Sequence, residues 1–126
     1  PLPECIPPDT SLEDAISLIK RKNTGCLLVI DSSDKLIGIF AQGDVFSKIA
    51  GQKLDLEHTT VDSLMTRNPT TLNASDPISH AVHLMSLHGF RHIPIVDNKG
   101  RPIMISSFRE GLRFISKLIA SQDETG

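Results

Sequence analysis

Histidines are concentrated in one stretch of the sequence, where they raise the question of a metal site. Four of the five histidines fall between His80 and His92, and His80 and His83 are three residues apart in a segment with helical periodicity. Residues at this spacing share one face of a helix, so the two imidazoles are able to bind one metal ion. No carboxylate or cysteine supplies an obvious third ligand, and His88 and His92 lie at unsuitable spacings. The pattern favours a polar helix face and no metal centre.

The sequence also lacks the residue patterns that independent catalysis requires. It contains no nucleophile with a plausible base, no glycine-rich phosphate loop and no pair of acids at a defined separation. Its two cysteines, Cys5 and Cys26, are too few for a disulfide scaffold and have no partner at zinc spacing. The sequence therefore predicts a protein that is not an enzyme.

Composition limits the class of protein further. Of the 126 residues, 39% are hydrophobic and 22% are charged, which is typical of a globular chain. The net charge of −2 and the absence of Tyr and Trp argue against nucleic acid as a partner. No apolar run reaches the roughly 20 residues of a membrane span, and the N-terminus lacks the pattern of a signal peptide. We therefore expect a reduced, cytoplasmic setting. The first residue is Pro1, which is compatible with a segment of a longer protein.

An internal repeat organises the chain. A shift of 66 positions aligns two segments of about 48 residues without a gap, and the class of residue matches almost throughout. Two fused copies of one small domain fit this period better than a solenoid does. The seven identities are Pro3 with Pro69, Ala15 with Ala81, Leu18 with Leu84, Asp31 with Asp97, Ile37 with Ile103, Ile39 with Ile105, and Ile49 with Ile115.

Each copy has the same predicted order of elements: an extended segment, a helix, two strands joined by a turn, and a closing helix. In the first copy these elements are predicted over residues 4–6, 11–22, 26–31, 36–40 and 44–50. In the second copy they are predicted over residues 70–72, 77–88, 92–97, 102–106 and 108–120. Residues 51–60 are predicted to be a linker, and residues 61–65 have the length of one helical turn. The predicted domain boundaries are 1–50 for the first repeat, 51–66 for the linker and lead-in, 67–120 for the second repeat and 121–126 for a frayed tail.

The two long helices carry start signals and matching apolar stripes. Thr10 with Glu13 has the spacing of a capping box, and Asp76 before Pro77 predicts an N-cap followed by proline at the first helical position. The stripes repeat every 3.6 residues and face the predicted core. Their members are Leu12, Ala15, Ile16 and Ile19 in the first helix, and Ile78, Ala81, Val82 and Met85 in the second.

The duplicated pattern resembles the cystathionine-β-synthase (CBS) domain family, and the resemblance extends from about Pro3 to Leu118. Three segments carry it: a lead-in, a central strand, and a strand that ends in an acid at the start of the closing helix. They read Asp62-Ser63-Leu64-Met65-Thr66, Arg91-His92-Ile93-Pro94-Ile95-Val96-Asp97, and Gly38-Ile39-Phe40-Ala41-Gln42-Gly43-Asp44. The resemblance implies an α+β fold in which two β-α-β-β-α repeats pack as a pseudo-two-fold pair.

The resemblance also implies a function. Tandem CBS domains, called Bateman modules, commonly bind adenosyl compounds such as AMP, ADP, ATP or S-adenosylmethionine in clefts between the repeats. They regulate a fused or associated effector protein, do no chemistry themselves and usually form dimers. We therefore expect an adenine nucleotide as a regulatory ligand, no cofactor and a homodimer. The alternative is a dimerisation or protein-interaction module of the same fold whose degenerate clefts bind no nucleotide.

In this family an acid at the start of the closing helix binds the ribose hydroxyls, and a carboxylate suits this role because it offers two acceptor oxygens. The corresponding residues are Asp44 and Glu110, and the preceding hydroxyl position is occupied by Ala41 and Ser107. Each copy departs from the family pattern at one position. Helix capping is the competing interpretation, because Ser107 and Glu110 have capping-box spacing and an acid is favoured at a helix N-terminus.

Other positions are assigned to the ligand by the same resemblance. Arg91 and His92 precede the central strand, where related modules often place cations that reach phosphates, and Arg109 is a further candidate. Solvated side chains are the competing interpretation for these cations. Contacts to ribose or adenine are expected from Gly38, Ile39, Ser106, Leu72 and Pro94. The second copy alone combines a hydroxyl, an acid and two cations, at Ser107, Glu110, Arg91 and His92. We therefore expect the cleft that contains Ser107 and Glu110 to bind nucleotide more tightly than the other cleft.

Overall fold

The computed structural model describes residues 4–88 and 93–106, and these form two β-sheets with flanking helices. The first sheet has the order β1-β2-β3-β4 and the second the order β5-β6-β7. The strands are β1 (Cys5–Ile6), β2 (Cys26–Ile30), β3 (Leu36–Ala41), β4 (Thr66–Arg67), β5 (Leu72–Asn73), β6 (Ile93–Val96) and β7 (Pro102–Ser106). The helices are α1 (Leu12–Lys22), α2 (Gln42–Asp44), which continues as a π-helical turn (Val45–Ile49), and α3 (Ile78–His88); a 3₁₀ turn spans Val61–Ser63.

The two sheets repeat the same pairing, which confirms the predicted duplication. β1 runs parallel to β2 and places Ile6 opposite Val29, while β5 runs parallel to β6 and places Leu72 opposite Ile95. The antiparallel pairs that follow, β2 with β3 and β6 with β7, each contain a register shift at the same repeat position. Helices α1 and α3 are both 11 residues long and are 66 positions apart.

The turn between the two antiparallel strands is built in the same way in both repeats. Asp31 Oδ1 accepts hydrogen bonds from the backbone N–H groups of Ser33 (2.8 Å) and Lys35 (3.0 Å). Asp97 Oδ1 accepts from Lys99 and Arg101, each at 2.9 Å. These bonds, with the Arg101 backbone contact as the largest cause, hold the pKa of Asp97 below its ordinary value. The identity of Asp31 and Asp97 in the repeat therefore has a structural cause.

The starts of both long helices differ from the predictions. Ser11, and not Thr10, is the N-cap of α1: its Oγ accepts from the N–H of Asp14 at 3.1 Å, while the Thr10 hydroxyl donates to Pro7 O. Helix α3 begins at Ile78, and the Asp76 carboxylate accepts from the N–H of Asn73 at 2.8 Å. Both short polar side chains satisfy backbone groups outside the helix that they were predicted to cap.

The two faces of the first sheet belong to different apolar layers. Leu27, Val29 and Phe40 alternate along β2 and β3 towards α1, and they form the first core. Leu28 and Ile39 lie on the other face, where Ile105 of the second repeat packs against them. This second layer joins the repeats, and Leu36 N–H donates to Gly100 O at 3.0 Å beside it.

Residues 51–65, called the connecting segment below, join the two repeats and pack onto the first one. Leu54 and Leu56 lie against the first core, and Val61 is completely buried in it. The N–H groups of Leu12 and Glu13 at the start of α1 donate to Thr59 O and Leu56 O. Leucines of this segment therefore extend the apolar contact surface of α1.

Two of the four predicted stripe residues of α3, Ala81 and Val82, have described side chains, and they differ in burial. Ala81 is buried with Leu72 and Ile93, and Leu84 packs partly against them. Val82, a predicted core residue, is 46% exposed. In the first repeat, Leu54 and Leu56 of the connecting segment pack against the core that contains the stripe of α1. Among residues 4–88 and 93–106, no corresponding segment packs against the second core.

Candidate functional site

The candidate ribose-binding acid, Asp44, lies where β3 passes into the closing helix. The helix begins at Gln42, two residues before the predicted start, so Asp44 is its third residue. Asp44 Oδ2 accepts a hydrogen bond from the backbone N–H of Ala41 at 2.8 Å. This bond is one half of a capping box, and the other half is missing because Ala41 has no hydroxyl. The Asp44 side chain therefore caps the helix and remains 14% exposed.

The second oxygen of Asp44 has a cationic neighbour that the sequence analysis did not single out. Lys48 Nζ lies 3.3 Å from Asp44 Oδ1, and it also donates to the carbonyl oxygen of Leu64 at 2.8 Å. Asp and Lys four residues apart on a helix are a recognisable sequence signal for an ion pair. The contact to Leu64 has no local signal, because the two residues are 16 positions apart.

One end of the first sheet gathers the residues that correspond to the predicted site. Cys26 is opposite Ala41 in the ladder, and the N–H of Gln42 donates to Gly25 O at 2.9 Å. Gly25 and Cys26 therefore lie beside the start of the closing helix, which carries Asp44. The fold thus brings the start of the central strand and the acid-bearing turn to one end of the sheet.

Several predicted site residues of the second repeat lie outside the described residues: Arg91, His92, Ser107, Arg109 and Glu110. In the 66-residue correspondence they are the counterparts of Gly25, Cys26, Ala41, Gly43 and Asp44. Their assignment to a ligand stays a prediction.

Gly38 has a structural role that accounts for its place in the motif. A Cβ built at this position falls 2.3 Å from the Sδ of Met65, which is itself buried in the first core. The next strand, β4, pairs with β3 at Gly38 and Ile39. Only glycine allows Met65 to lie this close to the sheet, and the contact faces the first core and not the layer between the repeats.

Ile39 and Pro94 lie where the repeats meet. Ile39 is buried against Cys26, Leu28 and Ile105, and Pro94 is completely buried opposite Ile105 in the ladder of the second sheet. Their expected contact with ribose or adenine stays a prediction.

The two remaining predicted contacts, Leu72 and Ser106, lie at different places in the second sheet. Leu72 is buried in the core of its own repeat with Ala81 and Ile93, so it is not a residue of the layer between the repeats. Ser106 ends β7 and pairs with Ile93.

A concave depression of about 560 Å³ lies at the opposite end of β2 from Asp44. It is lined by residues that end β1 and begin the turn after β2: Cys5, Ile6, Pro7, Pro8, Ile30, Asp31, Ser32 and Asp34. Burial, followed by the charges of Glu4 and Asp34, raises the pKa of the Cys5 thiol. The depression is therefore lined by a neutral thiol and by the carboxylates of Asp31 and Asp34. The Asp31 carboxylate already accepts hydrogen bonds from the backbone of the turn.

The predicted histidine pair lies on an exposed helix face. His80 and His83 are exposed on α3, and His80 Nε2 lies 3.7 Å from the carboxylate of Asp76. Within the described ranges, no three side chains of His, Cys, Asp or Glu gather to hold a metal ion. None of the helices in that part of the chain has the length and apolar character to cross a membrane.

Comparison with protein families shows that one domain model matches both repeats of the chain. The model of the CBS domain matches residues 3–51 and 61–103 of this chain. A CBS domain-containing protein of Arabidopsis thaliana, CBSCBSPB1, is 30% identical over 99 residues, which cover 79% of this chain. The chain spans only 18% of the length of that relative.

Solved structures agree with the family match. The CBS-pair protein CBSX2 from Arabidopsis thaliana superposes with a TM-score of 0.77 at 25% identity, covering 94% of this chain and 89% of that chain. The structure of CBSX2 in complex with AMP has a TM-score of 0.75 at 26% identity, covering 91% of this chain and 88% of that chain. The architecture described above is therefore that of a paired-repeat module, as the sequence predicted.

Proposed function

The chain belongs to the CBS domain family, and from this premise we propose that it is a regulatory module that binds adenosyl nucleotides in clefts between its two repeats. The ligand is AMP, ADP, ATP or S-adenosylmethionine, and its binding signals to a fused or associated effector protein. The observation that carries the proposal is the close match in fold and coverage to CBSX2, whose complex with AMP has been solved. The module itself performs no chemical step.

The position of Asp44 supports the proposal. Its carboxylate is held at the end of β3 by the Ala41 N–H, and each carboxylate oxygen retains acceptor capacity for a ribose hydroxyl. Ile39 and Pro94 are buried at the junction of the repeats, and the base is proposed to bind beside this apolar layer.

The second repeat supplies the remaining proposed contacts. Ser107 and Glu110 correspond to Ala41 and Asp44, and they combine the hydroxyl with an acid. The proposed phosphate ligands are Arg91, His92 and Arg109. A guanidinium group binds two phosphate oxygens at once, and a protonated imidazole adds a further donor. The cleft that contains Ser107 and Glu110 is proposed to bind nucleotide more tightly than the cleft that contains Asp44, whose carboxylate already has two partners.

The engagement of Asp44 also favours a second candidate function. A carboxylate that caps its own helix and pairs with Lys48 is explained without any ligand. On this alternative the chain is a dimerisation or protein-interaction module with degenerate clefts. In either case we propose a homodimer in the cytoplasm, and sedimentation at micromolar concentration that shows only monomer would contradict the dimer.

A thermal-shift panel of AMP, ADP, ATP and S-adenosylmethionine separates the two functions. A ligand at 100 times its dissociation constant stabilises the folded state by about 2.7 kcal/mol, which raises Tm by several degrees for a chain of this size. We expect at least one of the four compounds to produce this shift. No shift at millimolar concentration for any of them would favour the interaction module.

A further inference from the structure

We propose that Lys48 is a positioning residue that couples the Asp44 carboxylate to the segment connecting the two repeats. Its ammonium group contacts Asp44 Oδ1 at 3.3 Å and the Leu64 carbonyl oxygen at 2.8 Å. A lysine ammonium has three N–H donors, so it is able to hold both acceptors at once. The part of this proposal that concerns nucleotide rests on the proposed function, and the structural coupling does not.

The backbone around Lys48 departs from a regular helix. Residues Val45–Ile49 form a π-helical turn, in which Ala50 N–H donates to Val45 O at 3.1 Å. The extra residue in a π turn changes the direction in which following side chains leave the helix, and such turns occur frequently at functional sites. Here the turn carries the only described lysine that bridges the closing helix and the connecting segment.

The other end of the bridge is firmly attached to the first sheet. Leu64 follows the 3₁₀ turn, and the N–H of Met65 donates to Val61 O at 2.8 Å. The Met65 side chain packs against Gly38, and the next two residues form β4 on the edge of β3. A displacement of the Leu64 carbonyl is therefore transmitted directly to the strand that leads into the second repeat.

Charge explains why the two contacts of Lys48 depend on each other. The Asp44 side chain is mostly buried and the Lys48 side chain is 39% exposed, so the pair is only partly screened by solvent. Asp44 fixes the position of the ammonium group, and the ammonium group fixes the carbonyl. When ribose hydroxyls donate to Asp44, they share the carboxylate that holds Lys48 and weaken its attraction for the ammonium group, so the bridge to Leu64 changes with occupancy.

The coupling is testable on the ligand-free protein by hydrogen exchange. Asp44→Asn keeps an acceptor for the Ala41 N–H but removes the charge that holds Lys48. We expect it to speed backbone exchange in residues 64–67 by about two- to fivefold, the range of a partly exposed ion pair. In a Lys48→Met background the same substitution has no further effect in this segment.

Lys53→Met is the matched control, because Lys53 is an exposed lysine in the same half of the chain. It should leave exchange in residues 64–67 unchanged. A silent Asp44→Asn, or effects of Asp44→Asn and Lys48→Met that simply add, would overturn the coupling whether or not nucleotide binds. The free energy of unfolding of Asp44→Asn and Lys48→Met is measured by urea titration. Faster exchange in residues 64–67 that exceeds the change expected from global stability is then a local effect.

AMP provides the second arm of the experiment. AMP should alter exchange in residues 64–67 of the unsubstituted protein and of Lys53→Met, and should do so at least twofold less in Lys48→Met. If calorimetry detects binding while exchange in this segment responds equally in all three proteins, the coupling is wrong. If Asp44→Asn speeds exchange as expected but AMP gives no binding heat, the coupling stands and the proposed nucleotide function fails.

Discussion

Gly38→Ala tests the close approach of Met65 to the first sheet. The added Cβ would lie 2.3 Å from Sδ, 2.9 Å from Cγ and 3.0 Å from Cε of Met65, all well inside van der Waals contact. Gly38 does not have a positive φ, so alanine is compatible with the backbone and the cost comes only from the clash. Met65 is 6% exposed within the first core, which limits its freedom to move aside.

The magnitude follows from overpacking. Inserting a methyl group into a filled core costs about 1–3 kcal/mol, and the loss of glycine freedom in the unfolded chain offsets about 0.4–1 kcal/mol of this. We therefore expect Gly38→Ala to lower the free energy of unfolding by about 1–2 kcal/mol and Tm by about 4–8 °C. Met65→Ala alone leaves a cavity and costs about 2–5 kcal/mol.

Urea unfolding of the two single variants and the double variant measures the contact. Because Met65→Ala removes the clashing atoms, Gly38→Ala should cost at least about 1 kcal/mol less in that background. Gly43→Ala is the control: its Cβ would meet open space within α2, and it should be neutral or stabilising by up to about 1 kcal/mol. Strictly additive effects of Gly38→Ala and Met65→Ala would refute the proposed contact.

The remaining predictions concern a helix cap, a buried thiol and a turn carboxylate. Ser11→Ala removes the N-cap of α1 and should cost about 0.5–2 kcal/mol in urea unfolding, whereas Thr10→Ala should cost less. Burial raises the pKa of Cys26 from its ordinary value of 9.0 to about 12. Its contribution to stability should therefore be constant below pH 9 and fall by up to about 1.4 kcal/mol per pH unit from pH 9 towards 12. Cys26→Ala should remove this part of the alkaline loss, and an equal loss in both proteins would contradict it. The pKa of Asp97 is lowered by its turn hydrogen bonds, so its contribution to stability is present above pH 3.8 and is lost as the pH falls below it. Asp97→Asn should make acid unfolding less steep below pH 3.8, and an unchanged acid transition would refute this role.

The sequence predicted the features of the fold that depend on local pattern and duplication. The spacing of Leu12, Ala15 and Ile19 marked the buried face of α1, and all three residues are buried. Asp31 and Asp97 are a repeat identity that the alignment found. They were predicted as the last residues of their strands, and the structure places each just after its strand, where the carboxylate accepts from the turn that follows. Such features follow from helix periodicity and turn chemistry within a few residues.

The features that the sequence did not reveal depend on contacts between distant residues. The Lys48 contact to Leu64 spans 16 positions, and the packing of Met65 on Gly38 joins a short segment to the middle of a strand. Neither has a periodic signal, and β4 is only two residues long. Thr10 was predicted as the N-cap because it stands three residues before Glu13, and this was wrong. Ser11 is the cap, and the next residue, Leu12, donates its N–H to the distant Thr59 O, a contact that no local pattern reveals.

Calorimetric titration of the protein with AMP is the most direct test of nucleotide binding between the repeats. We expect two unequal binding steps. Glu110→Ala should weaken the tighter step about 10- to 150-fold, the equivalent of 1.5–3 kcal/mol for a hydrogen bond to a charged group. Asp44→Ala should affect mainly the weaker step. A larger loss of the tight step in Asp44→Ala would show that the tight cleft is the other one. The absence of binding heat with AMP, ADP, ATP and S-adenosylmethionine would contradict nucleotide binding altogether.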